Sequence, residues 1–93
     1  MTKGAYAYIL CCADGTYYTG WTSDLDRRLE MHNSGRGAAY TRARRPVRLA
    51  YAERLPSRSA AMRREQRIKR LGHQGKAQLI DAVRAEADEA KGG

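Results

Sequence analysis

Five side chains of this 93-residue sequence have the types and the spacing to cut a phosphodiester bond. Tyr8 and Tyr18 stand in two aromatic, strand-like segments that a short turn joins. Arg28 and His32 follow one helical turn apart, and Glu65 interrupts an apolar helical stripe. A phenol or an imidazole can take a proton from water, while a cation and a carboxylate-bound metal can neutralise charge on a phosphate. The combination predicts metal-assisted hydrolysis.

The two tyrosines share one face of a hairpin only if its loop has the right length. The strand-like segments, residues 5–12 and 16–22, flank an Ala-Asp-Gly turn. A two-residue Asp-Gly turn would put Tyr8 and Tyr18 on opposite faces. A three-residue loop closed by a left-handed glycine would instead pair Tyr8 with Gly20 and keep both phenols on one face. We predict the three-residue loop because the chemistry requires that face.

Periodicity and capping signals define the other elements. Ser23-x-x-Asp26 resembles a capping box with the shorter acid, which marks a helix start. Alternation of Val47, Leu49, Tyr51 and Glu53 with smaller or basic residues indicates a third strand. These signals predict a helix from about Asp24 to Asn33, a basic loop at 34–46, a strand at 47–55, and helices at about 56–71 and 74–87.

The predicted fold is α+β, with one domain over residues 1–86. A three-stranded antiparallel sheet is flanked by helices in the order ββαβαα. The last helix should bury Leu79, Ile80 and Val83, and residues 87–93 should form a flexible tail.

The positions of Arg28, His32 and Glu65 on their helices separate them from ordinary surface residues. On a helical wheel, Arg28 and His32 flank the stripe of Leu25 and Leu29 and look toward the sheet. Glu65 falls inside the apolar arc of its helix. A buried carboxylate needs a cation or a metal, so either a metal site or an internal ion pair with an arginine would explain it.

The charge distribution predicts a polyanionic partner. The net charge is +8, and residues 27–76 hold 15 Lys or Arg against three acidic residues. Fourteen of the 18 cations are Arg, whose planar fork suits phosphate, so nucleic acid is the simplest partner. The sequence has no run of 18 apolar residues, no signal peptide and no disulfide pattern, which predicts a cytoplasmic protein without a membrane span.

The ordered series of motifs resembles the GIY-YIG nuclease superfamily, and within it the small single-domain bacterial members of the Slx1-like or UPF0213 type. The first triplet, Tyr6-Ala7-Tyr8, matches only at its last residue, and Trp21 stands where some members carry Lys. The matching pieces lie at residues 6–10, 14–20, 24–33, 40–41, 45–47 and 63–71.

The resemblance implies an endonuclease that uses Mg²⁺ or Mn²⁺ on structured or branched DNA, as in DNA repair, with DNA expected rather than RNA. Glu65 would hold the metal and Arg28 would bind the phosphate. Tyr8, oriented by Tyr18, or alternatively His32, would be the general base, and the sequence leaves both open. The residues expected to contact nucleic acid are Gly20, Asn33, Tyr40, Arg42, Arg44, Arg45, Lys69 and Lys76.

Two other functions fit the same residues. In the first, the protein is a non-catalytic nucleic-acid-binding module whose tyrosines stack on bases and whose arginines hold the backbone. In the second, it is an accessory protein that docks on an RNA-rich assembly. Loss of cleavage with a chelator or with Glu65→Gln, while binding survives, distinguishes the nuclease from both.

Overall fold

The tyrosine hairpin opens the described part of the chain, which in this computed structural model comprises the backbone of residues 4–92 and the side chains of residues 4–86. Strands β1 (Ala5–Cys11) and β2 (Tyr17–Thr22) pair antiparallel, with Tyr8 opposite Gly20. Gly15 closes the loop with a φ of 84°, a left-handed conformation that glycine adopts without strain. The predicted three-residue loop and its register are therefore confirmed.

A third strand completes the sheet. Strand β3 (Arg48–Leu55) pairs antiparallel with β1, so the strand order is β2-β1-β3. The α+β class and the three-stranded antiparallel sheet are thereby confirmed. Four helices surround the sheet: α1 (Leu25–Asn33), α2 (Ala39–Arg42), α3 (Arg58–Lys69) and α4 (Gly72–Gly92). None of the helices in the described residues is both long and apolar enough to cross a membrane.

Three details of the helices differ from the prediction. The N-cap of α1 is Asp24, whose carboxylate accepts a hydrogen bond from the Arg27 amide at 3.1 Å, so the Ser23–Asp26 capping box was wrong. The short helix α2 lies within the segment predicted as a loop. Helix α4 continues to Gly92 and leaves Val83 43% exposed, so the predicted burial of that side chain was also wrong. The side chains of 87–93 lie outside the described residues, and the flexible tail stays a prediction.

A bulge in β3 turns the apolar side chains before it and after it to opposite faces of the sheet. Ile9 pairs with Tyr51, but Leu10 pairs with Leu49, so a bulge leaves Ala50 without a partner. Val47 and Leu49 consequently face the same side as Leu10, while Tyr51 faces the other side. The unbroken alternation predicted for this strand was wrong at the bulge.

Each face of the sheet has its own apolar core. On one face, α3 and α4 pack Ile68 and Ile80 against alternate residues of β1. On the other face, Leu25 and Leu29 of α1 pack against the cluster that contains Tyr8. The adjacent thiols Cys11 and Cys12 are both free, as expected for side chains that point to opposite faces. The sheet is thus a central layer, and Tyr8 lies under α1.

Candidate active site

Tyr8 lies at the centre of the candidate site, and Gly20 on the neighbouring strand makes room for it. Tyr8 is only 3% exposed. A Cβ atom at Gly20 would lie 2.5 Å from the Tyr8 hydroxyl oxygen, a distance that real Cβ contacts essentially never show. The glycine therefore lets the phenol lie directly against the β2 backbone.

Helix α1 brings His32 to the Tyr8 hydroxyl. His32 is 1% exposed, and its Nε2 lies 3.1 Å from the Tyr8 oxygen. The other ring nitrogen, Nδ1, lies 2.8 Å from the Thr41 hydroxyl, which donates its own hydrogen to the Ala38 carbonyl at 3.0 Å. The Thr41 oxygen must then accept from Nδ1–H. That tautomer leaves Nε2 as an acceptor, so the Tyr8 hydroxyl donates to His32.

The pKa shifts of Tyr8 and His32 both oppose proton movement from the phenol to the imidazole. Burial raises the pKa of Tyr8 well above its usual 10, with contributions from Tyr18 and Glu65, while Arg28 acts in the opposite direction. Burial and, less strongly, Arg28 lower the pKa of His32 from 6.5. His32 is therefore neutral near pH 7 and can accept a proton, whereas Tyr8 keeps its proton unless a base or a cation assists.

Arg28 lies between this pair and a surface cavity. Its charge acts on both Tyr8 and His32, which places it within electrostatic range of both. It also lines a cavity of about 360 Å³ together with residues of β2, the α1 N-terminus and Met31. A phosphate in that cavity would be beside the guanidinium, which can donate charge-assisted hydrogen bonds to it.

Glu65 approaches the site from α3. The charge of its carboxylate adds to the raised pKa of Tyr8, after burial and Tyr18. Its ion-pair partner among the described side chains is Lys69, with Nζ 3.7 Å from Oε2 and the Glu65 side chain 14% exposed. The predicted alternative, a buried ion pair with an arginine, is not formed. Within residues 4–86, no group of three or more His, Cys, Asp or Glu side chains could hold a metal ion. A metal here would thus have one protein carboxylate and a shell of water and substrate oxygens, which suits Mg²⁺.

A stack of side chains extends from the site to the hairpin turn. The Tyr18 ring lies 5.3 Å from His32 and stacks on Tyr40 with ring centroids 6.1 Å apart. The Arg44 guanidinium lies 3.9 Å above the Tyr40 ring and forms a 3.1 Å ion pair with Asp14. Tyr40 and Arg44 are therefore held by neighbours, and their contact with nucleic acid stays a prediction.

The other residues predicted to contact nucleic acid divide into two groups. Asn33, Arg42 and Arg45 all donate hydrogen bonds to backbone carbonyls of the segment around α2 and β3. Burial lowers the pKa of Lys76, and the nearby charge of Lys69 lowers it further. The first group has structural partners that compete with phosphate, whereas the second places Lys69 3.7 Å from Glu65 and Lys76 within electrostatic range of Lys69. The binding roles of both groups stay predictions.

Two residues of the site were not identified from the sequence. Thr41 fixes the His32 tautomer, and Gly37 leaves space for the imidazole, because a Cβ atom at Gly37 would collide with His32 Nδ1. Thr41 is fully buried. Both residues lie in the segment predicted as a loop, and a threonine or glycine there gives no local signal of such a contact.

Comparison with known proteins agrees with this geometry. A family model described as the GIY-YIG catalytic domain matches residues 4–78. A UPF0213 protein of Natronomonas pharaonis is 49% identical over 80 residues, which cover 86% of this chain and 94% of that protein. A UPF0213 protein of Halobacterium salinarum is 53% identical over 75 residues, which cover 81% and 97% of the two chains. The chain therefore belongs to the GIY-YIG nuclease superfamily and, within it, to the UPF0213 proteins.

Two solution NMR structures are similar to this fold. The UPF0213 protein BH0048 from Bacillus halodurans is 48% identical and superposes with a TM-score of 0.55, covering 85% of this chain and 84% of that one. The protein EF2693 from E. faecalis is 39% identical, with a TM-score of 0.61 and coverage of 89% and 88%. Both relatives match the fold over most of their lengths.

Proposed function

We propose that this protein is a divalent-metal-dependent endonuclease that hydrolyses phosphodiester bonds in DNA, with structured or branched DNA as its substrate. Membership of a nuclease superfamily supports hydrolysis of nucleic acid. The basic surface and the excess of Arg over Lys support a polyphosphate partner. The proposal also includes a preference for DNA over RNA, a role in DNA repair and a cytoplasmic location.

The hydrogen-bonded series Tyr8–His32–Thr41 is the observation that carries the proposal. Because the Tyr8 hydroxyl donates to His32 Nε2, its oxygen keeps lone pairs that can accept a proton from water. As the water oxygen bonds to phosphorus and one P–O bond breaks, the water proton passes to Tyr8 and the Tyr8 proton passes to His32. The leaving oxygen takes a proton from solvent. The two candidate bases thus act as one relay.

Arg28 and a metal ion on Glu65 would counter the negative charge of the phosphate. Arg28 lines a surface cavity and would bind the scissile phosphate with charge-assisted hydrogen bonds that strengthen as negative charge develops. Glu65, whose ion-pair partner among residues 4–86 is Lys69 at 3.7 Å, would hold Mg²⁺ or Mn²⁺. The ion, when bound, would neutralise charge on the phosphate and the leaving group.

Cleavage by the Glu65→Gln variant is the decisive experiment. The parent, Glu65→Gln and the matched control Glu30→Gln, which changes an exposed acid on α1, would be incubated with forks, flaps, four-way junctions and linear duplexes. Mg²⁺, Mn²⁺ or a chelator would be added in parallel. We expect metal-dependent nicking by the parent and by Glu30→Gln, and none by Glu65→Gln, with substrate binding retained in all three.

Two outcomes would contradict the proposal in different ways. Cutting by Glu65→Gln at the parent rate would remove the assigned role of this carboxylate. Tight binding without cutting by any variant, with either metal and every substrate, would favour the non-catalytic nucleic-acid-binding module. In that module Tyr8 would serve packing alone, because a side chain that is 3% exposed cannot stack on a base, and the arginines would hold the backbone.

A further inference from the structure

Helix α3 presents a basic face on the side turned away from Glu65. Arg63 and Arg67 are both exposed and lie one helical turn apart. At about 100° per residue, they project roughly 160° and 200° around the helix axis from Glu65. The helix with its side chains is about 10–12 Å across. A ligand on these arginines would therefore be separated from the candidate active site by the body of α3.

The two arginines border a pocket rather than a convex surface. A pocket of about 190 Å³ is lined by Leu55, Ala60, Arg63, Arg64 and Arg67. A second pocket of about 390 Å³, lined by Gly4, Arg54, Leu55 and Pro56, shares Leu55 with the first. The two pockets thus adjoin at the apolar side chain of Leu55, and at least one arginine lines each of them.

The charge of this depression is not neutralised by the carboxylate beside it. Glu53 accepts hydrogen bonds from Arg64 Nε and from the Tyr51 hydroxyl, each at 2.8 Å. Among the side chains of residues 4–86, no ion pair engages Arg54, Arg63 or Arg67. Glu53 is therefore paired with Arg64 and does not neutralise the charge of Arg54, Arg63 or Arg67.

We propose that Arg63 and Arg67 form a second nucleic-acid-binding surface, which holds a phosphate backbone away from the reaction centre. Guanidinium forks match phosphate oxygens, and the side chains of Arg63 and Arg67 are neighbours on one helix face, about 5–6 Å apart at Cβ. A protein partner would need large apolar or aromatic anchors, and Leu55 and Ala60 supply only a small apolar floor. This surface is independent of the proposed cleavage because it contains none of the residues assigned to that reaction.

A second surface on the far side of α3 changes which substrates bind well. A linear backbone that passes Arg28 and Glu65 would have to bend around α3 to reach Arg63 and Arg67. A branched molecule can place one arm on each side without bending. The second surface therefore predicts a larger gain for branched than for linear nucleic acid, through two contacts on one rigid body.

The test compares two charge-matched double variants in the absence of divalent metal. Arg63→Glu/Arg67→Glu alters the proposed surface, while Arg48→Glu/Arg84→Glu makes the same change in net charge at exposed arginines that line neither pocket. Affinity for a fluorescent four-way DNA junction, a linear DNA duplex and an RNA duplex would be measured by anisotropy with a chelator present, after circular dichroism has confirmed folding.

We expect the junction affinity of Arg63→Glu/Arg67→Glu to fall by at least about tenfold, or about 1.4 kcal/mol. The slope of log affinity against log salt concentration should become less steep by about 1.8, because each of the two lost phosphate contacts on DNA contributes about 0.9. The control should lose much less. Equal losses in both variants, no loss in either, or displacement of the junction by polyglutamate as effectively as by DNA would each overturn the proposal. Because no cleavage is measured, this result is separate from the test of Glu65.

Discussion

The side-chain amide of Asn33 holds both backbone polar groups of Val47. Nδ2 donates to the Val47 carbonyl at 2.9 Å, and Oδ1 accepts from the Val47 amide at 2.7 Å. These bonds fasten the last residue of α1 to the residue before β3. Since α1 carries Arg28 and His32, the pair fixes the end of the helix that positions the candidate active site.

Replacing Asn33 should therefore affect stability more than binding. Asn33→Ala leaves both Val47 groups without a protein partner, and we expect the free energy of unfolding to fall by about 1–3 kcal/mol. Asn33→Asp keeps the acceptor and should lose less. Urea unfolding measures both, and anisotropy with a DNA duplex should show unchanged affinity for the folded variants. A loss of affinity at full stability would instead support direct contact of Asn33 with nucleic acid.

Thr41→Val should inactivate the protein through the His32 tautomer. The valine has nearly the same shape, but it leaves the buried Nδ1–H of His32 without an acceptor, at a cost of about 1–3 kcal/mol. The imidazole can then turn or change tautomer, and cleavage should fall while substrate binding is retained. Thr41→Ser keeps the hydroxyl and serves as the control. Full activity of the valine variant at parental stability would show that Thr41 does not orient His32.

The free energy of unfolding should fall as the pH drops below about 6.5, the ordinary pKa of histidine. Burial, and then Arg28, lower the pKa of folded His32. The unfolded chain consequently binds this proton at a higher pH than the folded chain. The contribution of neutral His32 to stability is complete above pH 6.5, and it is lost as the pH falls through the lower pKa of His32 in the folded state. Urea unfolding across this range should show a slope that His32→Gln flattens and that the exposed-site control His73→Gln preserves.

Two neighbouring arginines on α1 should differ in their effect on cleavage. Arg27 and Arg28 both line the surface cavity, but Arg27 is exposed and only Arg28 shifts the pKa values of Tyr8 and His32. Arg28→Ala removes the proposed partner of the scissile phosphate, and we expect kcat to fall about 100-fold or more. Arg27→Ala should change kcat little, although it removes an equal charge. Similar losses in the two variants would mean that Arg28 contributes only to the general electrostatic attraction of the substrate.

The parts of the site that local rules govern could be predicted from the sequence. Turn chemistry limits the hairpin to a two-residue or a three-residue loop, and the requirement that Tyr8 and Tyr18 share one face selects the three-residue loop. It places Tyr8 beside Gly20. The placement of Arg28 and His32 on the inner flank of α1 follows from helical periodicity. Each of these inferences needs only residues that are close together in the sequence.

The remaining features depend on contacts between distant segments. The Asn33–Val47 bonds and the Thr41–His32 bond each join elements that the sequence treats separately. Tertiary packing also decides the exposure of Val83, which lies on the apolar stripe of α4 but is not covered by α3 or the sheet. Helical periodicity identifies the apolar face of a helix. How much of that face is buried depends on the neighbouring helix.

The bulge at Ala50 decides which core receives the start of β3. Strict alternation along β3 would turn Val47 and Leu49 to the same face as Tyr51, the face that α3 covers. The bulge turns them instead to the face of Leu10 and Cys12, where Asn33 holds the Val47 backbone. A β3 strand without Ala50 would still pair Tyr51 with Ile9 and Leu49 with Leu10, so we expect this deletion to keep Val47, and with it the anchor of α1, in place.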